Sequence, residues 1–195
     1  MRLLVGLGNP GSQYAETPHN AGFVVADRFA AKHRMPAFAK KYEGLFARGQ
    51  VLGHDLGVLK PQTYMNLSGE SVAAALRYLP VEPPDVIVVF DEMDIPSGKL
   101  RLRKFGGHGG HNGLRSIIDA LGSQDFPRIR VGVGRPGAGR EPTGHLLGKL
   151  PGDERERLSG TIDLAVEALE TALTEGFEIA MSRFNGRERV GGEDE

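Results

Sequence analysis

The sequence predicts an α/β fold: a single-domain sandwich in which a twisted, mixed β-sheet is flanked by helices. Three observations support this prediction. Short strand-like runs alternate with longer amphipathic segments along the chain, which is typical of α/β proteins. The length of 195 residues suits one domain with a substantial core. Hydrophobic residues make up 39% and charged residues 25% of the chain, a composition typical of a globular protein.

The individual elements follow from hydrophobic periodicity and from the residues that start and stop helices. An apolar, β-branched run before Asp91 predicts a strand that is buried on both faces. The predicted strands are residues 3–7, two strands within 42–59 joined near Gly53 and His54, 86–90, 99–104 and 129–133. The predicted helices follow the N-cap candidates Asn20, Ser68 and Asn112, and two more occupy residues 153–175 and 177–184.

The composition of the chain excludes several classes of protein. There is no cysteine, which excludes a disulfide framework, a thiol nucleophile and a thiolate zinc site. No stretch resembles a signal peptide or a transmembrane span, so we expect a cytoplasmic protein without a membrane partner. We expect residues 1–186 to form one domain and residues 187–195 to be a disordered acidic tail.

The basic residues are concentrated in the middle of the chain. Residues 99–149 contain ten Lys or Arg and three Asp or Glu, whereas the formal net charge of the whole chain is −1. A basic patch on a nearly neutral protein suits a polyanionic partner such as a nucleic acid. A solvated charged face explains the same charge pattern, and charge alone does not decide between the two interpretations.

The segment 90–113 concentrates the chemically active side chains. Asp91 and Asp94 follow the predicted buried strand, at the edge of the sheet where open α/β proteins bind ligands. The glycine-rich run 106–113 comes next and carries two histidines and an asparagine. Glycine allows a ligand to approach the backbone closely, although a flexible connection is the simpler interpretation. The convergence of acids, bases and histidines favours a functional loop.

Polar residues at other predicted strand ends and helix starts complete a candidate site. These residues are Asn9, His19, Asn20, Asn66, Asp91, His111 and Asn112. An aspartate can hold an imidazole in one tautomer, and that imidazole can then take a proton from water. Asparagine does not titrate but can donate hydrogen bonds to a carbonyl oxygen or position a water molecule. This set favours hydrolysis of an activated ester.

Five segments, in order along the whole chain, resemble those of bacterial peptidyl-tRNA hydrolases. The segments are GLGNPG at 6–11, TPHNAG at 17–22, TYMNLSG at 63–69, DEMDIP at 91–96 and GGHGGHNGLRSI at 106–117. The resemblance implies a monomeric α/β enzyme that uses neither metal nor cofactor. It also implies that the enzyme cuts the ester between a peptide and the 3′ end of tRNA, and so recycles tRNA.

The resemblance also implies a role for particular residues. His19 matches the catalytic base, Asp91 the acid that holds it, and Asn9 the residue that discriminates blocked from unblocked aminoacyl ends. Arg103 and Arg130 match a basic pair that binds the 5′ phosphate of tRNA. The residues expected to contact the peptide, the 3′ CCA end or the acceptor stem are Tyr14, Asn20, Tyr64, Met65, Asn66, His111, Asn112, Arg101, Arg103 and Arg130.

Three other functions fit the sequence less well. A metallohydrolase could use Asp91, Asp94, His108 and His111, but a glycine-rich loop does not preorganise metal ligands. The run Gly6–Gly11 matches GxGxxG, yet a dinucleotide-binding turn opens directly into a helix and this run does not. A non-catalytic RNA-binding relative would lack the catalytic positions, whereas both the histidine and the aspartate are present.

Overall fold

The computed structural model of the protein describes residues 1–15, 17–135 and 151–187. Its strands are β1 (Arg2–Gly6), β2 (Ala39–Lys41), β3 (Gly44–Val51), β4 (His54–Pro61), β5 (Val86–Glu92), β6 (Leu100–Arg103) and β7 (Arg128–Gly132). In these residues the seven strands form one sheet in the order β2-β3-β4-β1-β5-β7-β6. The mixed sheet that the sequence predicted is therefore confirmed, although β2 was not predicted.

The centre of the sheet is parallel and its two edges are antiparallel. Strand β1 pairs in parallel with β4 and β5, and β5 pairs in parallel with β7. The antiparallel pairs are β2 with β3, β3 with β4, and β6 with β7. The carboxyl ends of β1, β4, β5 and β7 therefore lie along one edge of the sheet, where ligands bind in open α/β folds.

Helices cover both faces of the sheet. They are α1 (Ala21–Lys32), α2 (Ser68–Leu76), α3 (Asn112–Leu121), α4 (Gly152–Thr174) and α5 (Phe177–Phe184). Helices α1, α4 and α5 pack with Leu4, Ile87 and Val89 in one core cluster. Helices α2 and α3 pack with neighbouring residues of the same strands, such as Leu3 and Val88, in the other. Both faces of the central strands are therefore buried, as their continuous apolar runs predict.

Two of the predicted helix caps were wrong. Ser68 is the first residue of α2 and donates its hydroxyl proton to the carbonyl oxygen of Met65 (2.7 Å), because a 3₁₀ turn precedes the helix. Asn112 is the first residue of α3, and His111 is the cap instead. The Nδ1 atom of His111 accepts a hydrogen bond from the backbone N–H of Leu114 (3.2 Å). The imidazole thus provides the acceptor that a helix N-terminus requires.

Some predictions concern residues outside the described part of the chain. Only Arg187 of the predicted acidic tail is described. The segment RPGAGREPTG at 135–144, which the sequence predicts to be a loop, lies outside the described residues except for its first residue. The domain boundaries and the disorder of the tail therefore stay predictions. None of the described helices is long and apolar enough to span a membrane.

Candidate active site

An aspartate at the end of β5 lies between two imidazoles. The side chain of Asp91 is only 2% exposed. Its Oδ1 atom lies 2.7 Å from Nδ1 of His19 and 3.1 Å from Nε2 of His111. His19 belongs to the 3₁₀ turn Pro18–Asn20, directly before α1, and His111 lies at the end of the glycine-rich loop. Segments far apart in sequence thus meet at the carboxyl edge of the sheet.

The hydrogen bonds around Asp91 determine the tautomer of each neutral ring. The backbone N–H of Leu114 donates to Nδ1 of His111, so the proton of that ring is on Nε2 and points at Asp91. A carboxylate can only accept, so the Nδ1–H of His19 donates to the same oxygen. Nε2 of His19 is then the nitrogen that carries no proton. This nitrogen is available to accept a proton, and the side chain of His19 is 15% exposed.

Asp91 remains a carboxylate despite its burial. Burial alone would raise its pKa, but the charge and hydrogen bond of His111, together with those of His19, hold the pKa of Asp91 well below its usual range. In the folded protein, Asp91 therefore stays ionised even at a pH at which the same carboxyl group in the unfolded chain takes up a proton. The stability that it contributes is present above the unfolded pKa and is lost as the pH falls through the folded pKa.

Asn9 and Asn20 are joined through a pair of hydrogen bonds. The backbone N–H of Asn9 donates to Oδ1 of Asn20 (2.7 Å), and Nδ2 of Asn20 donates to the carbonyl oxygen of Asn9 (3.0 Å). Asn20 occupies the N-cap position of α1, as predicted, but its side chain makes no capping hydrogen bond and holds the loop after β1 instead. The Oδ1 atom of Asn9 accepts from the backbone N–H of Met65 (2.9 Å). Its Nδ2 group is therefore the end of the side chain that can donate to a ligand.

The contact between Met65 and α3 closes the ring of site residues. A Cβ atom added to Gly113 would lie 2.5 Å from Sδ of Met65 and 3.1 Å from Cε1 of His111. Only glycine permits this approach without displacing a neighbour. Hydrogen bonds connect His19 and His111 through Asp91, and another connects Asn9 to Met65. The close packing at Gly113 brings these two groups next to each other.

A cleft of about 240 Å³ opens beside the two imidazoles. It is lined by His19, Asp91, Glu92, Met93, Asp94, Gly109, Gly110, His111, Asn112 and Arg135. Glu92, Met93 and Arg135 were not predicted. Glu92 and Met93 directly follow Asp91 in the sequence, and this adjacency could have indicated that they lie at the site. Arg135 carried no sequence signal, and it bonds Asp94 through Nε (2.7 Å).

The remaining residues predicted to contact the peptide lie at or near this edge. Asn112 lines the cleft and is exposed. Tyr64 and Asn66 flank Met65 and are also exposed, Tyr64 by 65%. Tyr14 is partly buried in the 3₁₀ turn Ser12–Tyr14. The structure brings Asn112 to the imidazoles, whereas the roles of Tyr14, Tyr64 and Asn66 stay predictions.

The four residues of the metallohydrolase alternative do not converge on one point. Asp94 is paired with Arg135, and Nδ1 of His108 accepts from the backbone N–H of Gly110 (3.0 Å). Among the described residues, the group whose ligand atoms converge is His19, Asp91 and His111. The 2.7 Å separation in this group suits a hydrogen bond. Two ligand atoms on one tetrahedral zinc ion lie roughly 3.4 Å apart.

The arginines of β6 and β7 share one face of the sheet. Arg101 lies opposite Arg130, and Arg103 opposite Arg128, so the strands are neighbours as expected. Arg101 and Arg103 are exposed. Arg130 is partly exposed, its NH1 atom lies 3.6 Å from Oε2 of Glu92, and its buried Nε atom has no hydrogen-bond partner among the described residues.

Arg128 and Arg130 alternate with Ile129 and Val131 in the sequence, a pattern that predicts a strand with one exposed, basic face, but Arg128 departs from this prediction. Its relative exposure is 0%, whereas Arg101 and Arg103 on the adjacent strand are exposed. It therefore cannot contact a ligand on the surface as the structure stands.

A carboxylate-bound imidazole at the carboxyl edge of an α/β sheet, beside a cleft lined by polar groups, is an arrangement that can activate a water molecule, as hydrolases do. Comparisons with known proteins specify which kind. The family model described as peptidyl-tRNA hydrolase matches residues 3–191. The chain belongs to this family, whose members cleave the ester bond of peptidyl-tRNA and so recycle tRNA.

Individual relatives agree with this assignment over nearly the whole chain. A peptidyl-tRNA hydrolase of Synechococcus sp. (strain JA-3-3Ab) is 48% identical over 186 residues, covering 95% of this chain and 83% of the relative. That of Syntrophotalea carbinolica is 46% identical over 187 residues, covering 96% and 98%. The crystal structure of peptidyl-tRNA hydrolase from Acinetobacter baumannii superposes with a TM-score of 0.89, at 40% identity and 96% coverage of both chains. The resemblance found in the sequence is confirmed.

Proposed function

We propose that the protein hydrolyses peptidyl-tRNA by general-base catalysis, with His19 as the base and Asp91 as the group that orients it. One observation carries this proposal. The 2.7 Å contact between Nδ1 of His19 and Oδ1 of Asp91 leaves Nε2 without a proton at the edge of the cleft. A neutral imidazole in a fixed tautomer is the group that proteins most often use to take a proton from water.

The reaction then follows from the protonation states. Nε2 of His19 takes a proton from a water molecule whose oxygen attacks the ester carbonyl, giving a tetrahedral oxyanion. The oxyanion collapses, the bond to the ribose oxygen breaks, and the imidazolium returns the proton to that oxygen. Asp91 stays ionised throughout and stabilises the imidazolium. The products are a peptide with a free carboxylate and a tRNA with a free 3′-terminal hydroxyl.

Neighbouring residues orient the reacting groups. His111 donates to Asp91 and so fixes the carboxylate that orients His19. Asn112 lines the cleft, and its carboxamide can position the water molecule. The Nδ2 group of Asn9 can donate to the first peptide carbonyl, which an unblocked aminoacyl-tRNA lacks. Tyr14, Tyr64, Met65 and Asn66 are proposed to line the peptide path, and Asn20 holds Asn9 in place.

We propose that the RNA lies on the arginine face of β6 and β7. Arg130 pairs in register with Phe90, the residue before Asp91, so its strand is about 4.8 Å from the strand that carries the acid. A guanidinium suits a phosphate because its planar fork can donate two hydrogen bonds to the phosphate oxygens, and the Arg130 side chain is partly exposed. Arg101 and Arg103 extend this positive face toward the sheet edge. The acceptor stem would bind there, with its 3′ CCA end reaching the cleft.

We further propose that the enzyme acts as a monomer in the cytoplasm and uses neither metal nor cofactor. Removal of metal ions with a chelator tests whether the activity depends on a metal. Purified protein dialysed against EDTA is expected to hydrolyse N-acetyl-aminoacyl-tRNA at the untreated rate, because the base is activated by a carboxylate. A rate that falls on dialysis and returns with a divalent ion would overturn the metal-free mechanism. No hydrolysis before dialysis would overturn the proposed function.

The arginine face is tested with two substrates. Arg103→Ala and Arg130→Ala are expected to raise KM for full-length peptidyl-tRNA with kcat nearly unchanged, because a remote phosphate contact contributes equally to the ground and transition states. Each loss should reduce the log–log salt dependence of kcat/KM by about 0.9 per phosphate. Hydrolysis of a short ester that carries only the 3′ end should not change.

The exposed Arg48, which pairs with Asp55 on the opposite part of the sheet, provides a matched control. Arg48→Ala should leave both substrates unaffected. Equal losses on the two substrates would place Arg103 and Arg130 in the catalytic centre or the fold. An unchanged KM for full-length peptidyl-tRNA would exclude the proposed RNA face.

A further inference from the structure

Arg128 is a buried cation that the proposed mechanism does not use. It is the first residue of β7, two residues before Arg130, and its relative exposure is 0%. Burial, with Arg130 as a neighbouring like charge, lowers the pKa of Arg128 to about 10, so it stays protonated at neutral pH. A buried charge is costly unless hydrogen bonds satisfy it, so its partners indicate its role.

Those partners are backbone carbonyl oxygens from two separate segments. Its NH1 group donates to the carbonyl oxygens of Gly106 and Gly107, the first residues of the glycine-rich loop. Its NH2 group donates to those of Gln124 (2.9 Å) and Phe126 (3.3 Å), and Nε also donates to Phe126. The guanidinium carbon stacks on the Phe126 ring at 4.4 Å. Arg128 therefore joins the start of the loop to the chain just before β7.

The loop that it holds leads directly into the catalytic centre. After Gly106 the chain makes a turn in which His111 donates its backbone N–H to the carbonyl oxygen of His108 (3.0 Å), and His111 then bonds Asp91. Gly106, Gly109 and Gly110 have positive φ angles of 136°, 57° and 85°. Such a segment is expensive to order because glycine loses the most conformational freedom on folding. The far end is fixed by α3. The near end is fixed by Arg128 together with one backbone hydrogen bond, which the N–H of Gly106 donates to the carbonyl oxygen of Gln124 (3.3 Å).

We infer that Arg128 is a positioning residue for hydrolysis: it fixes the glycine-rich loop so that His111 and Asn112 stand correctly against Asp91 and the substrate. This inference rests on the proposed function, since it assigns Arg128 to the same centre. It differs from the role of Arg103 and Arg130, which contact RNA. A misplacement of about 1 Å in catalytic groups can cost 10²-fold in rate.

Two variants separate this role from the alternatives. Arg128→Met removes every donor, and Arg128→Lys keeps the charge but replaces a planar fork by a single nitrogen, which cannot reach both segments. Each variant is measured with full-length peptidyl-tRNA and with the short 3′-end ester, at a temperature where it is folded. Val51→Ala serves as a destabilised control, because Val51 is buried at the β3–β4 turn, away from the cleft.

The expected result is a fall in kcat of about 10- to 100-fold on both substrates, smaller for Arg128→Lys than for Arg128→Met. The salt dependence should not change, and Val51→Ala should keep the wild-type kcat. NMR of ¹⁵N-labelled histidine should show that the Nε2–H signal of His111 shifts in the Arg128 variants, whatever their activity. If Arg128→Met does not fold, Arg128→Lys decides the question alone.

Two outcomes would overturn the inference. An unchanged kcat and an unchanged His111 signal would leave Arg128 a purely structural residue. A raised KM confined to full-length peptidyl-tRNA would make it an RNA contact. Failure of the proposed function is distinguishable from both, because wild-type protein would then hydrolyse neither substrate while the His111 signal still reported on the loop.

Discussion

His19→Ala is expected to lower kcat for N-acetyl-aminoacyl-tRNA by about 10²- to 10⁴-fold without unfolding the protein. This is the range that general-base catalysis contributes, and Nε2 of His19 is the unprotonated nitrogen beside the cleft. The fold should persist, because removing the ring leaves Asp91 with its hydrogen bond from His111. The measurement is steady-state hydrolysis, with the circular dichroism melting curve recorded on the same sample.

The matched control is His54→Ala. His54 begins β4 at the β3–β4 turn, at the end of the strand opposite the cleft, so its removal should leave kcat unchanged. A His19→Ala variant that retains wild-type kcat would show that His19 is not the base. A variant that loses both activity and fold would assign the histidine a structural role.

Gly22→Ala is expected to have the largest effect on stability. Gly22 lies in the first turn of α1, and a Cβ atom there would lie 2.3 Å from the carbonyl oxygen of Val89 and 2.5 Å from the backbone nitrogen of Leu7. Both are backbone atoms of the central sheet and cannot rotate away. Overpacking typically costs about 1–3 kcal/mol and occasionally more. The upper end of this range corresponds to a fall in Tm of roughly 6–12 °C for a domain of this size.

A glycine in another helix provides the comparison. Gly160 lies within α4, and nothing lies within 4 Å of its added Cβ atom. Gly160→Ala should therefore raise the free energy of unfolding by about 0.5–1 kcal/mol, since alanine is the better helix former. Thermal denaturation of both variants checks the pair. A Gly22→Ala protein that melts with the wild type would contradict the close contact between α1 and the sheet.

The strands were the part of the fold that the sequence predicted best. The run before Asp91 and the run after Met1 are continuously apolar, which is typical of strands buried on both faces. In the structure, helices cover both faces of these two strands. Strand β2 was missed because Lys40 and Lys41 are exposed, and only its pairing with β3 makes it a strand. Pairing between strands depends on contacts across the sheet, and the local periodicity of one segment does not reveal it.

The predicted caps failed because local preference competes with longer contacts. Asn112 is a favourable N-cap by type, but the ring of His111 reaches the Leu114 N–H and takes that position. Asn20 precedes α1, yet its carboxamide pairs with the backbone of Asn9, eleven residues earlier. In both α1 and α3, the departure from the predicted capping lies at the catalytic centre, where the side chains of Asn20 and His111 hold other site residues.

The arginines show the limit of alternation as a signal. Arg128 and Arg130 are two residues apart on β7 and share a face, as predicted. The sequence does not reveal that the backbone at Gly106 and Gln124 closes over the first of them. Arg128 is therefore buried and Arg130 partly exposed, although both occupy equivalent positions in the alternating sequence. Periodicity likewise does not reveal the order of the strands, which brings Asn9, Asp91 and Met65 to one edge.

The central claim is that two imidazoles donate to one carboxylate, which leaves Nε2 of His19 free to act as the base. Two-bond ¹H–¹⁵N correlation spectra of ¹⁵N-histidine-labelled protein measure this directly, with signals assigned from His19→Ala and His111→Asn. At a pH where both rings are neutral, His19 is predicted to carry its proton on Nδ1 and His111 on Nε2. A proton on Nε2 of His19 would contradict the account, because that nitrogen could then not take a proton from water.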